Sequence, residues 1–324
     1  MNKTWLIIKR EYITRVRNRT FIISTFLTPM FFVGLIVAVI YMTPKDKTIP
    51  STIEDSGIVK EKIAKKEHSG LAYAVGYTSS FLIYIIILIY GTMVMRGVSE
   101  EKTNRIAEII ISSVKPFQLM MGKIIGIGAV GLTQFFMWIV LVMIFILVLF
   151  NFLPQEMLHE AGRQTTEQQS ANIASELSTV NLPLIILCFI FYFVFGYLFY
   201  ASLFAAVGSA VSEDAQDTQT LMLPVTMPIV LAIVIMMQVI INPTSSMATW
   251  SSMVPFFSPV VMMSRIPFGV PGTVPWWELG ASMLMLVAGF LFITWLSAKI
   301  YRTGILLYGK KITWREMWKW TIRS

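Results

Sequence analysis

The sequence predicts an all-α integral membrane protein with six transmembrane helices, an N-terminal interfacial helix and a further helical segment facing the cytoplasm. Three observations carry this. Apolar residues make up 56% of the 324 and charged residues 14%, with a mean hydropathy of +0.69, a composition too apolar for a surface dissolved in water. Six runs contain no Asp, Glu, Lys, Arg or His: residues 21–42, 72–95, 124–150, 182–205, 221–241 and 279–298. Each has about 20 residues or more, hence roughly 30 Å of helix, which matches the hydrocarbon thickness of a bilayer. The bases, finally, gather in the connections.

Residues 1–20 form the first element. Lys3, Lys9, Arg10, Arg15, Arg17 and Arg19 surround a stripe of Trp5, Ile8, Tyr12 and Val16. This reads as an interfacial helix whose stripe enters the acyl boundary while its bases face headgroups and water. The run that follows is long enough to span, and no small-residue cleavage site succeeds it, so residues 21–324 are read as one six-span domain rather than as a signal peptide and a mature chain. Of the 26 Lys and Arg residues, 18 fall on the side of the N-terminus and 8 on the other. The asymmetry places both termini in the cytoplasm. Six lysines in the extracytoplasmic loop 43–70 run against it, but the two basic ends decide the orientation.

The second span leads into residues 96–123, RGVSEEKTNRIAEIIISSVKPFQLMMGK. From 99 to 114, Ile106, Ile109, Ile110 and Val114 recur at helical spacing with Glu101, Arg105 and Glu108 elsewhere around the turn, which describes an amphipathic helix. Pro116 should end it and open the next. Such a segment is either a working surface or a juxtamembrane loop lying on headgroups.

Loop 151–181 is polar and reads as a solvated helix or a disordered arm. Between spans four and five, GSAVSEDAQDTQT carries Glu213, Asp214 and Asp217 and no base, a small acidic cytoplasmic corner. Loop 242–278 holds six prolines among aromatic residues. They exclude a seventh straight span and suggest short interfacial or re-entrant helices instead. The tail 299–324 alternates basic and aromatic residues and reads as a headgroup anchor.

Small residues recur at close-packing intervals. Gly122 and Gly126 in GKIIG, and Gly196 and Ala201 in span four, let helices approach closely, either within one chain or at a dimer seam. Gln134 and Gln238 are the main polar side chains within spans and read as interhelical hydrogen-bond partners.

Several chemistries have no residues to perform them. Cys188 is the single cysteine and lies inside an apolar run, while His68 and His159 are the only histidines and fall in loops. No H-E-x-x-H or G-x-S-x-G motif occurs. GILLYGKK, residues 304–311, fits G-x-x-x-x-G-K but puts Lys311 where a Ser or Thr must reach magnesium, and it lacks the strand-to-helix setting of a phosphate loop. Charge-free spans disfavour proton-coupled transport. The net charge of +8 is accounted for by headgroups and topology, not nucleic acid.

Taken together, the KREY of residues 9–12, the stretch EEKTNRIAEIIISSVKPFQLMMGK of 100–123, the acidic loop after span four, FFSPVVMMSRIPFG of 256–269 and KIYRTGILLYGKK of 299–311 resemble the permease subunits of type 2 ABC exporters. The chain is most similar in this respect to the branch of the sodium-exporter membrane subunit NatB. The resemblance implies the permease fold of that class in a bacterial plasma (inner) membrane. It implies a coupling helix after span two in which Glu100, Glu101, Asn104, Arg105 and Glu108 touch a separate ATP-binding subunit, supplemented by Glu213, Asp214 and Asp217. That subunit would bind ATP and Mg, and this chain no cofactor or metal. A second permease copy or paralogue would complete the passage. The loop 43–70 departs from the branch, where a folded domain often stands. A membrane scaffold or sensor with a docking helix, or a gradient-driven transporter, are the alternative functions. The substrate is not encoded in any motif.

Overall fold

The computed structural model describes residues 3–42, 57–152, 181–211, 215–307, 316–317 and 319, and all regular structure among them is helical. In chain order the helices are α1 (Lys3–Val16), α2 (Arg19–Met42), α3 (Gly57–Thr103), α4 (Ile106–Ile111), α5 (Pro116–Phe152), α6 (Leu182–Ala210), α7 (Ala215–Ile241), α8 (Ser246–Met253), α9 (Ser258–Arg265) and α10 (Trp276–Gly304). A 3-10 turn, Ile266–Phe268, follows α9.

Five of them hold stretches long and apolar enough to cross a membrane: Ala72–Thr103, Pro116–Phe145, Leu182–Ala210, Thr218–Ile241 and Trp276–Gly304. They contain the last five apolar runs. The chain is thus a multi-pass membrane protein. The expectation of six spans is met only to this extent. The first run lies in α2, Arg19–Met42, whose described apolar stretch is Phe21–Met30. The helices also outrun the apolar stretches. Residues 57–70, expected as loop, are helical, and α5 starts at Pro116, whose missing N–H costs nothing in a first turn. Charged residues therefore sit in the end turns of spanning helices.

The chain divides into two compact units. One comprises Ile13–Leu71 and Val130–Val180. In it Ser24 and Thr25 return their hydroxyls to the Phe21 carbonyl at 3.0 and 2.6 Å, satisfying themselves within α2. Gln134 is buried there.

The other unit comprises Met1–Tyr12, Ala72–Ala129 and Asn181–Ser324. Its central post is α6, which from Tyr192 onward is buried nearly all round, as a helix enclosed by others should be. Asn181 caps its start, accepting from the Leu184 N–H. Along α6 lies α10, joined to it by Tyr192 Oη donating to Ser282 Oγ at 2.9 Å and by the Ser202–Thr294 hydroxyl pair at 3.0 Å. Gln238 in α7 is exposed on this chain.

The proline-rich stretch forms a helical hairpin. Ser245 caps α8 by accepting from the Ala248 N–H, and Pro259 sits in the first turn of α9. All eight residues of α9 are buried. Glycines admit it: a Cβ on Gly76 of α3 would lie 2.6 Å from the Ser264 carbonyl oxygen, and one on Gly196 of α6 would lie 2.7 Å from the Pro259 ring. Protein on all sides satisfies this broken backbone.

Candidate functional site

Residues 96–123 do not form one amphipathic helix from 99 to 114, as the pattern suggested. Helix α3 runs on to Thr103, the chain turns through Asn104 and Arg105, and α4 restarts at Ile106. Arg105 takes the left-handed conformation, φ 56° and ψ 13°, unusual for a residue with a Cβ. The turn redirects the chain and makes a short arm of two helical pieces. Glu100, Asn104, Arg105 and Glu108 are exposed along it, as are Ile106 and Ile109, the latter at 75%. Ala107 is fully buried and holds α4 down.

Glu101 departs from that group, being only 6% exposed. Its carboxylate lies 3.0 Å from Lys123 Nζ and 3.7 Å from Arg10 Nη2. Lys123, at 1% exposure, also lies 3.6 Å from Glu11 Oε1 and donates to the Gly97 carbonyl at 2.9 Å. The adjacent Lys102 donates to the Ser209 carbonyl at 2.6 Å. That carbonyl belongs to the last turn of α6, where helices leave oxygens unpaired and favour a cation. Around this cluster the helices close tightly: a Cβ on Gly208 would meet the Met95 carbonyl oxygen at 2.6 Å, and one on Gly304 would meet Ser209 Oγ at 2.7 Å. Buried Tyr301 of α10 lies within electrostatic reach of Glu101 and Glu11.

The position of α1 explains how Glu11 arrives. Its inward face is Ile7 and Glu11, one turn apart, while Trp5 of the stripe expected to face lipid is 59% exposed. This face rests on Gly122 and Gly126 of α5. A Cβ on Gly122 would meet Ile7 Cγ2 at 2.8 Å, and one on Gly126 would meet Glu11 Cβ at 2.8 Å. The pair is a small-xxx-small contact. At its other end α1 sends Lys3 Nζ to the Ser113 carbonyl at 2.7 Å. Helix α1 is therefore bonded to both ends of the arm, near its root at Glu101 and past its tip at Ser113.

A second buried ion pair lies in the hairpin. Arg265 and Glu278 meet at 2.9 Å. Arg265 also donates to the Pro243 carbonyl at 2.8 Å, to Ser252 Oγ at 2.7 Å and to the Ala248 carbonyl at 3.4 Å. Burial pulls the guanidinium's proton affinity down while Glu278 opposes the shift, and an arginine so ligated stays charged. The group gathers the ends of α7, α8, α9 and α10. Ser282 completes it by donating to the Ser252 carbonyl at 2.6 Å.

Among the other residues singled out in the sequence, Glu213 and Asp214 lie outside the described residues, and Asp217 is in the first turn of α7 with its side chain outside them. Ala201 is fully buried in α6, as is the Cys188 thiol. Sequence reasoning missed Glu11, Lys102, Lys123, Arg265 and Glu278. A signal existed for the last two, which are the only charged residues between 242 and 278 and so required one another in apolar surroundings. Lys123 stood inside GKIIG, where neighbouring small residues forecast a packed face rather than a solvated one.

Comparison with known proteins agrees with this architecture. The family described as ABC-2 family transporter protein matches residues 51–299. The uncharacterized protein YhaP of Bacillus subtilis is 29% identical over 268 residues, covering 83% of this chain and 59% of its own length. The uncharacterized protein MJ1024 of Methanocaldococcus jannaschii is 27% identical over 270 residues, again 83% of this chain and 59% of its own. The chain thus spans less than two thirds of these relatives.

Proposed function

Because the chain belongs to the ABC-2 transporter family, we propose that it is the membrane-spanning permease subunit of an ATP-driven exporter, working by alternating access. The observation that carries the reading is the arm. It presents Glu100 on the last turn of α3, Asn104 and Arg105 in the turn, and Glu108 on α4 outward, and its root is fixed by buried charge through Glu101. A rigid projecting element transmits displacement to the helices it is tied to. A floppy loop would dissipate it. In this reading the arm is the coupling helix, its exposed residues seat on a separate ATP-binding subunit, and Glu101 is the inner anchor rather than a contact. Glu213 and Asp214, from the connection before α7, and Asp217, from its first turn, add to that surface.

The companion supplies ATP and Mg binding, since no phosphate loop occurs in this sequence. Helix α2 makes the first of six crossings, and both termini face the cytoplasm of a bacterial plasma membrane, in keeping with the excess of bases on that side. Close contacts at Gly122, Gly126, Gly196 and Ala201 keep the bundle packed, and a second permease copy or paralogue completes the passage.

The test is a pull-down of the full chain from its native membrane. Recovery of an ATPase bearing phosphate-loop and signature motifs is expected, with loss of binding on Glu100→Ala together with Arg105→Ala. A companion bound equally well by the double variant would refute the coupling surface. A signalling protein recovered in place of an ATPase would favour the scaffold alternative.

A further inference from the structure

We infer that Lys123 is a positioning residue through which α1 sets the position of the arm. This deepens, and takes its functional meaning from, the coupling role proposed above. Three observations converge. Glu11 of α1 and Glu101 at the root of the arm hold the same ammonium, at 3.6 and 3.0 Å, and all three side chains are buried. The ammonium is also bonded to the Gly97 carbonyl one turn before Glu101, so it grips α3 by backbone as well as side chain. Finally, Arg10 reaches Glu101 at 3.7 Å and Lys3 bonds the Ser113 carbonyl at 2.7 Å, which sets α1 along the arm as a splint.

Taking a charge out of water is expensive, and a lone buried cation or carboxylate is not tolerated without a partner. Three buried groups that share charge therefore move together or separate together. Weakening the Glu11–Lys123 contact frees α1, and with α1 go the Arg10–Glu101 and Lys3–Ser113 contacts that hold the arm. Lys123 stands on α5 beside Gly122 and Gly126, against which α1 packs without any charge. The consequence is directional. Neutralising Glu11 loosens the arm although Glu11 belongs to a different helix, and it does so only while Lys123 is present.

The experiment is amide hydrogen exchange on the full chain, reconstituted without any ATPase in nanodiscs of phosphatidylethanolamine and phosphatidylglycerol. Lys123→Met should speed exchange over residues 99–111 by about tenfold or more while α6 and α10 keep their protection. Glu11→Gln should speed the same amides, adding nothing in the Lys123→Met background, and Lys123→Arg should restore the slow pattern. Should Lys123→Met fold poorly, the variant Lys123→Met/Glu11→Gln/Glu101→Gln leaves no charge of the triad buried and is expected to fold with a fast-exchanging arm. A Glu11→Gln effect confined to α1, additive effects of the two single changes, or a slow arm in the triple variant would overturn the inference. As no ATPase is present, these outcomes are independent of the pull-down, whose failure would remove the coupling role and leave the linkage standing.

Discussion

Lys123 and Glu101 meet at 3.0 Å with both side chains shut away from solvent. The contact joins the end of one spanning helix to the start of the next, directly beneath the arm that connects them. A charged residue near the surface of a membrane protein is ordinarily read as facing water or headgroups. Here adjacent glutamates divide the work: Glu100 is exposed and Glu101 is not.

That division predicts a contrast between neighbours. Glu101→Ala leaves Lys123 without its nearest carboxylate and should destabilise by about 3–5 kcal/mol, whereas Glu100→Ala should stay within about 0.5 kcal/mol. Thermal unfolding of the purified variants in detergent reads the difference as a lowered Tm for the first and an unchanged one for the second. Equal Tm values would contradict the burial of Glu101.

The seat of α1 predicts a steric result. Gly126→Leu drives a side chain into Glu11 Cβ and the Ile8 carbonyl, which already lie 2.8 and 3.1 Å from where a Cβ would stand. Overpacking of this kind costs about 1–3 kcal/mol, and α1 should become open to trypsin at Lys9 and Arg10. Gly280→Ala in α10 serves as the control. Its Cβ meets nothing within 4 Å, and it should be neutral or stabilising by up to about 1 kcal/mol.

The hairpin predicts a non-additive pair. Arg265→Met alone strands Glu278 and removes the bonds to Pro243, Ser252 and Ala248, and should cost about 3–5 kcal/mol. Arg265→Met with Glu278→Leu removes both charges and should recover part of that loss. Unfolding midpoints of the two single variants and the double variant close the cycle. Full additivity would contradict a direct interaction.

The left-handed turn predicts a backbone effect separate from the charge of its residue. Arg105→Gly suits φ 56° and should leave the arm's fold intact or firmer by a few tenths to about 1 kcal/mol. Arg105→Val, β-branched in the same conformation, should loosen it. Hydrogen exchange over 106–111 distinguishes the two. Similar exchange in both would mean the turn is not left-handed.

Five apolar runs could be read directly because length and lack of charge are one-dimensional properties, and the helix start at Pro116 because proline acts locally. The break at Arg105 was not legible: a left-handed arginine has no sequence signature, unlike a glycine. Nor was the inward turn of Glu101, since helical periodicity placed it with Arg105 and Glu108 on a charged face. What reversed it was a partner far along the chain, Lys123, together with Glu11 brought in by the contact of Ile7 with Gly122. Such contacts are set by tertiary packing. The composition of loop 242–278 did carry its pairing, because Arg265 and Glu278 are its only charges.

A chain that forms the passage and draws its energy from a companion cannot turn over nucleotide by itself. ATP hydrolysis by the purified chain, monomeric in detergent, is measured alone and after addition of the ATPase that the pull-down is expected to recover. No hydrolysis is expected from the chain alone, and sustained hydrolysis with ATP-dependent flux is expected once the pair is reconstituted in vesicles. Sustained hydrolysis by the solitary chain would contradict the claim.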